Sequence, residues 1–376
     1  MKGSLGRWLA ADQTRPYSAD DRLPRPVAVS KRAPNNANLF LSVIQFAGHE
    51  ILAMGADSTV SGLTAFLKRA RDNYYVSRLI TAFAAPLHSV CTATAAQIQR
   101  SVHRNGAAIR LPNGQTMRIA RDNGIWIASA LFWNGLDGHE PETSRALRFL
   151  FERSSTFVDV GANYGIYSIL GALWNPRLQV VAFEPVPRIH EGLRKNVALN
   201  RLQDRIVCEN LALADNAGKA AFFLPDGEGQ DLDSAGTLVA DGWQARKNSP
   251  RIEVETVRFD DYEKRRPMRV DLVKIDVEDL EADVLAGMRA VVERDRPFIV
   301  CEVLPRAHRN ERTRNIVESL QYQPYWITPA GFIRVSRFDF SRNDFQNFLL
   351  SPVSTPDTVL RNLEVLWDLK CSRPAA

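Results

Sequence analysis

The side chains with the most chemistry in this sequence stand at the ends of apolar runs. Phe157-Val158-Asp159-Val160 is a buried-strand pattern that sets a carboxylate, Asp159, just before the tight run Gly161-Ala162-Asn163-Tyr164-Gly165. A strand, a glycine turn and a helix start bring unpaired backbone N–H groups and the positive end of a helix to one point, where polar groups of a ligand can dock. Gly161 and Gly165 carry no side chain, so a ligand can approach the backbone closely. The spacing G-A-N-Y-G is neither the dinucleotide G-x-G-x-x-G nor a phosphate loop, which needs G-K-[ST]. Asp159 argues against a phosphate beside the turn and for a cationic group. The bland alternative is a strand that ends in a structural glycine turn.

S-adenosylmethionine, with its α-ammonium and sulfonium, fits that requirement. Gln179-Val180-Val181-Ala182-Phe183 is a second apolar run, ending in Glu184 and closed by Pro185. An acid at the end of the second strand, about 20 residues after the glycine turn, is where nucleoside-binding α/β folds hold ribose hydroxyls. Val270 to Glu278 is a third run, carrying Lys274 and then Asp276 and Glu278; two acids two apart point the same way if the strand persists. Phe298-Ile299-Val300-Cys301-Glu302 is a fourth. The acids then form a ring at one edge of a sheet, the edge where open α/β sheets bind ligands. Asp276 and Glu302 are best placed to take a proton from an acceptor hydroxyl, with Glu278 as the next carboxylate to test. Asp276 could equally contact the cofactor.

The elements that must position these groups alternate strand and helix, which predicts a parallel sheet with helices on both faces. Residues 1–36 read as a flexible tail, charged and proline-bearing. Residues 37–104 read as a helical extension that packs or makes a homodimer contact. Residues 105–152 hold a hairpin, Ala108 to Ile119, turning at Asn113-Gly114. A Gly135–Glu142 turn follows, in which His139 or Glu140 could line the pocket. Residues 153–352 form the main domain, with a polar insert, Asp226 to Asn248, long enough for a lid. Residues 353–376 add a short amphipathic helix around Val359 to Leu369.

FVDVGANYGIYS, AFEPVP and VDLVKIDVEDLEADVLAGM, followed by a strand ending in Cys301-Glu302, together resemble the FkbM-type S-adenosylmethionine-dependent methyltransferases over about residues 108–352. The resemblance implies a seven-stranded Rossmann-like class I methyltransferase sheet whose last strand is antiparallel. It also implies methylation of a hydroxyl on a glycan, lipid or secondary-metabolite acceptor. The cofactor set is then Asp159, Gly161, Ala162, Asn163, Gly165, Glu184, Asp276 and Ala212, the last in the turn after the third strand. Asp279 stands where the family pattern K-I-D-V-E-G-x-E has glycine, adding a negative charge near the acceptor pocket. A catalytically inactive cofactor-binding or scaffold module on the same fold is the rival reading, and a nucleotide-sugar or NAD enzyme a third.

Composition agrees with a globular chain: 376 residues, 45% apolar, net charge +5. The basic excess is spread over loops and helix faces without an aromatic-interleaved stripe, so nucleic acid is not indicated as a partner. Four scattered cysteines form no C-x-x-C or Cys/His cluster, which argues against zinc and for a reducing, cytoplasmic compartment. The D-G-E-G-Q-D-L-D stretch lacks EF-hand spacing, so no metal is expected. No secretory signal is visible in the first thirty residues. Leu79 to Ile98 is apolar enough to consider as a membrane span, but Pro86, His88 and several hydroxyl side chains argue against it.

Overall fold

The computed structural model describes residues 106–120, 125–224, 251–304, 307–335 and 346–355. The first 105 residues, the insert Asp226 to Asn248 and the helix around Val359 to Leu369 lie outside the described residues, as does Leu79 to Ile98. The described part opens with a hairpin, β1 (Ala107–Arg110) antiparallel to β2 (Thr116–Ile119), with Gly114 at φ 86° in its loop. Helix α1 (Ile125–Asn134), a 3-10 turn (Gly135–Gly138) and α2 (Pro141–Phe151) follow. Then strand and helix alternate through β3 (Thr156–Val160), α3 (Ile166–Trp174), β4 (Gln179–Phe183), α4 (Pro187–Leu199) and β5 (Ile206–Glu209).

Next come β6 (Ala212–Leu213), β7 (Gly218–Phe223), β8 (Arg251–Val257), α5 (Phe259–Arg265), β9 (Leu272–Ile275), α6 (Glu281–Gly287) and α7 (Arg289–Asp295). The chain continues through β10 (Phe298–Val303), α8 (Ala307–Ser319), β11 (Tyr322–Thr328), β12 (Gly331–Arg334) and β13 (Gln346–Pro352). The main sheet has the order β12-β11-β13-β10-β9-β3-β4-β5. From β10 to β5 neighbours are parallel, and β13 runs antiparallel to β10 and β11. Seven of these strands match the expected class I arrangement with an antiparallel last strand. β12 is an eighth, folded back on β11 at the edge. β8 lies outside this sheet, in a small three-stranded one with β6 and β7.

Burial explains why the central strands read as unbroken apolar runs. Val180, Val181, Ala182 and Phe183 are all buried, because helices cover both faces of a parallel sheet. Phe151 of α2 meets Phe157 of β3 edge-on, with centroids 5.2 Å apart. Each such side chain contributes about 1.5–3 kcal/mol on burial. The hairpin is fixed to this core by Asn196 of α4 and by Asn200, which caps that helix. Asn196, fully buried, accepts from the Ala120 N–H at 2.7 Å and donates to the Tyr164 carbonyl at 2.9 Å. Asn200 bonds both the N–H and the carbonyl of Arg118.

The strand order places the site. The chain steps outward from β3 to β4 to β5, then returns to β9 on the other side of β3. The crevice outside the carboxyl ends of β3 and β9 is therefore the topological switch point, where such sheets bind ligands. One sequence expectation needs correction there. β9 ends at Ile275, so Asp276 and Glu278 are not successive same-face positions of a strand. The chain turns instead through left-handed backbone at Glu278 (φ 54°) and Asp279 (φ 82°). Glycine at 279 would adopt that backbone at no steric cost.

Candidate active site

A cleft open to solvent lies at this switch point. Gly161, Asn163, Glu184, Ala212, Asp276 and Glu278 are among the residues that line it. Gly161 holds φ 76° and its N–H, like that of Ala162, bonds the Phe183 carbonyl. A β-carbon on Gly161 would collide with the Asp276 carbonyl oxygen, so the glycine is needed where the ends of β3 and β9 meet. Asn163 is also left-handed, at φ 51°. Its N–H donates to Glu184 Oε2 at 3.0 Å, while the Val186 N–H donates to Oε1 at 2.9 Å. The Glu184 carboxylate is thus fixed in orientation by two backbone N–H groups. Burial pushes its pKa up to about 7, against the pull of those two N–H groups.

Behind the cleft, on the α2 and α3 side, is a second polar group. Lys274 is buried in β9; its ammonium lies 2.7 Å from Asp276 Oδ2 and 4.9 Å from the centre of the Tyr167 ring. The Tyr167 hydroxyl donates to Glu140 Oε2 at 2.8 Å, and the His139 ring stacks on Tyr167 at 5.9 Å. Glu140, Asp276 and Glu302 bring carboxylate oxygens within 4.8 Å of one another. That spacing could hold a cation, and the Lys274 ammonium already brings positive charge to Asp276. Burial opposes the lysine's charge, but Asp276, Glu140 and Asp159 more than offset it and raise its pKa. Burial would likewise raise Asp276, yet Lys274 and hydrogen bonds from Glu302 and Lys274 hold that carboxyl low. Glu302 is raised well above the ordinary range by burial and by Asp276, as expected when two close carboxyls share one proton.

Asp276 belongs to both groups, which makes it the junction of the site. Asp159 does not line the cleft; it is buried under α3, where the Ser168 hydroxyl donates to Oδ2 at 2.5 Å. Burial raises its pKa and Lys274 is the first influence that lowers it. Ala162 and Gly165 shape the turn from beneath rather than facing the cleft, and Gly165 sits at φ 79° against Leu193. Glu302 lies in the lysine cluster. Tyr167, Ser168 and Asn196 were not singled out in the sequence. Their signal was weak: ordinary polar residues within the apolar α3 and the charged, amphipathic α4, significant only once those helices pack on the sheet.

The raised carboxyls set the pH dependence of stability. Glu184 is pushed to about 7, and burial pushes Glu278 and Glu281 to about 8 each. From the ordinary value of 4.5 up to 7 or 8 the folded chain keeps these protons and the unfolded chain has lost them. Stability must then fall as pH rises through that window. The ligand-free protein is expected to melt at a higher temperature at pH 6 than at pH 8. A thermal scan showing the opposite order would contradict these assignments.

An α/β sheet with a crevice at its switch point, lined by a buried carboxylate and a glycine turn, is the arrangement in which open α/β sheets bind ligands. Residues 159–324 match the model of the Methyltransferase FkbM domain. A 2-O-methyltransferase NoeI of Sinorhizobium fredii is 29% identical over 154 residues, covering 39% of this chain and 61% of the relative. The 31-O-demethyl-FK506 methyltransferase FkbM of Streptomyces tacrolimicus is 33% identical over 152 residues, covering 35% and 58%. The chain thus spans about three fifths of the length of these relatives. Among solved structures, the methyltransferase FkbM of Methylobacillus flagellatus is 13% identical with a TM-score of 0.32, covering 61% of this chain and 56% of that one. The family's methyl donor, S-adenosylmethionine, fits the cleft. Glu184 would take the ribose hydroxyls, and the Gly161 to Gly165 turn would bring backbone to the methionine end. Among the described residues no helix is long and apolar enough to cross a membrane.

Proposed function

We propose that this protein is an S-adenosylmethionine-dependent O-methyltransferase acting on a hydroxyl of a glycan, lipid or secondary metabolite. The observation that carries the reading is the junction at Asp276, where the nucleoside cleft meets the cluster of Glu140, Tyr167, Lys274 and Glu302. The donor, when bound, supplies an electrophilic methyl group on a sulfonium. The protein's work is to hold an acceptor oxygen in line with it and to exclude water, which is worth several kcal/mol of barrier. Glu184 and the glycine turn fix the donor end. Lys274 holds Asp276 ionised where donor and acceptor meet, so Asp276 can orient either. The relatives' names, with 2-O and 31-O positions, support oxygen as the acceptor atom. The scattered cysteines support a cytoplasmic enzyme.

The purified full chain, incubated with radiolabelled S-adenosylmethionine and separate panels of oligosaccharides, lipids and polyketides, is expected to transfer label to one panel. The labelled product should resist alkaline hydrolysis, as an ether does and an ester does not. A protein that binds the donor but labels no hydroxyl compound would favour the inactive binding module instead.

A further inference from the structure

Buried polar atoms are hydrogen-bonded as a rule, so a group of orphans points to a ligand. Three such atoms, each from a different element, stand around the cluster of Glu140, Asp276 and Glu302. Asp159, 1% exposed, accepts the Ser168 hydroxyl on one oxygen, but its Oδ1 has no partner among the described residues. It pairs in register with Lys274, so both side chains leave the same face of the sheet. Ser144, 2% exposed, has no partner there for its hydroxyl. It lies one turn along from Glu140, whose carbonyl accepts its N–H at 2.9 Å, on the helix that packs against β10. Asn347 of β13 is the cross-strand partner of Glu302, which sets their β-carbons about 4.5–5.5 Å apart on one face. Its buried Oδ1 is the third orphan.

Two of these atoms only accept hydrogen bonds, and the hydroxyl can accept as well. The ligand they suit is therefore positive or rich in donors. Lys274 does not serve all of them: its ammonium donates to Asp276 Oδ2 at 2.7 Å and bonds none of the other residues of the cluster. Of these residues only Asp276 lines the open cleft, so the species that reaches the rest is small.

We propose that Glu140, Asp276 and Glu302 bind a divalent cation, with Asn347 Oδ1 as a fourth oxygen. The three carboxylates are half-buried and bring one oxygen each within 4.8 Å of the others. Oxygens at that spacing can share an ion with bonds of about 2.3–2.6 Å, and carboxylate and carbonyl oxygens select hard ions such as magnesium, calcium and manganese. Ser144 and Asp159 then accept from water that the ion carries. No motif announces the site, because its ligands come from the start of α2, the end of β9, β10 and β13. Its use in catalysis rests on the methyltransferase reading above: positive charge beside Asp276 favours the ionised form of an acceptor hydroxyl.

The test titrates the full chain, stripped with EDTA, with Mn²⁺ and reads the free ion by electron paramagnetic resonance. One Mn²⁺ per chain should bind, and excess Ca²⁺ or Mg²⁺ should displace it. Glu302→Gln and Glu140→Gln, each checked for folding by its melting curve, should weaken binding at least about tenfold, the least that loss of a ligand's own support costs. Asn347→Leu should weaken it by a smaller factor. Glu253→Gln, in an exposed pair with Lys219, should leave it within about twofold. A wild-type chain that binds no Mn²⁺, or carboxylate variants that bind it as tightly as Glu253→Gln, would overturn the proposal. If neither carboxylate variant folds, unchanged affinity in Asn347→Leu would overturn it. The readout does not involve the methyl donor, so a chain that binds Mn²⁺ at this site but no S-adenosylmethionine would keep the cation site and lose the methyltransferase reading.

Discussion

Gly161→Ala is expected to destabilise the protein by about 2–5 kcal/mol. Two costs combine. Left-handed backbone costs a side-chain-bearing residue about 1–2 kcal/mol, and Gly161 sits at φ 76°. Overpacking against backbone costs about 1–3 kcal/mol more, because the added β-carbon would strike the Asp276 carbonyl. Backbone meeting backbone has nowhere to yield except by moving the end of β9 away from β3. The Asp276 N–H to Val160 carbonyl bond, 3.0 Å long, would be lost in that movement. Gly114 is the control. It has a similar φ of 86°, but its added β-carbon would meet only the Arg110 side chain, at 3.8 Å. Gly114→Ala should therefore cost only the conformational part, about 1–2 kcal/mol. Denaturant unfolding of both variants checks this, and equal losses would mean that the close approach of β3 and β9 is not what fixes Gly161.

Lys274→Met is expected to cost about 3–5 kcal/mol, the range for leaving buried charge without its partner. The ammonium lies 2.7 Å from Asp276 and its charge also acts on Asp159, a carboxylate 1% exposed. Methionine fills similar space without the charge, so packing is kept and the loss is electrostatic. The sign with pH follows. Without Lys274 the carboxyls of Asp159 and Asp276 rise, so they take up protons as pH falls and the penalty shrinks. The deficit should be largest near pH 8 and smaller near pH 5, measured by urea unfolding across that range. A deficit below about 1 kcal/mol, or one that does not change with pH, would show that the cluster does not depend on its lysine.

The parallel core was legible because covering both faces of a sheet forces apolar runs such as Val180 to Phe183, and the acids that end those runs survive as polar exceptions. Glu184 and Gly161 were legible for the same reason: few residue types fit where strand ends must meet a ligand or each other. What escaped depends on long-range packing. Nothing in the run Val270 to Glu278 says that its strand stops at Ile275 and turns left-handed at Glu278. The purpose of Gly161 was likewise legible only in part. Its lack of a side chain is required, but the atom it makes room for belongs to Asp276. Lys274 was visible as an oddity in an apolar strand, while its partners Tyr167 and Glu140 come from α3 and the start of α2. β12 also escaped, although its pairing with β11 is a local hairpin through Pro329-Ala330, closed by the Thr328 hydroxyl on the Gly331 carbonyl.

The central claim is that the cleft beside Glu184 holds S-adenosylmethionine through its ribose. Titrating the donor into wild-type protein and into Glu184→Ala by calorimetry at pH 8 tests it most directly. At that pH the carboxyl, with a pKa of about 7, is ionised and ready to accept two hydroxyl protons. Wild-type protein should bind, and should bind more weakly at pH 6, where Glu184 is protonated. The variant, checked for folding by its melting curve, should lose about 1.5–3 kcal/mol, or tenfold to about a hundredfold in affinity. A folded Glu184→Ala protein that binds the donor as tightly as wild type at both pH values would contradict the account.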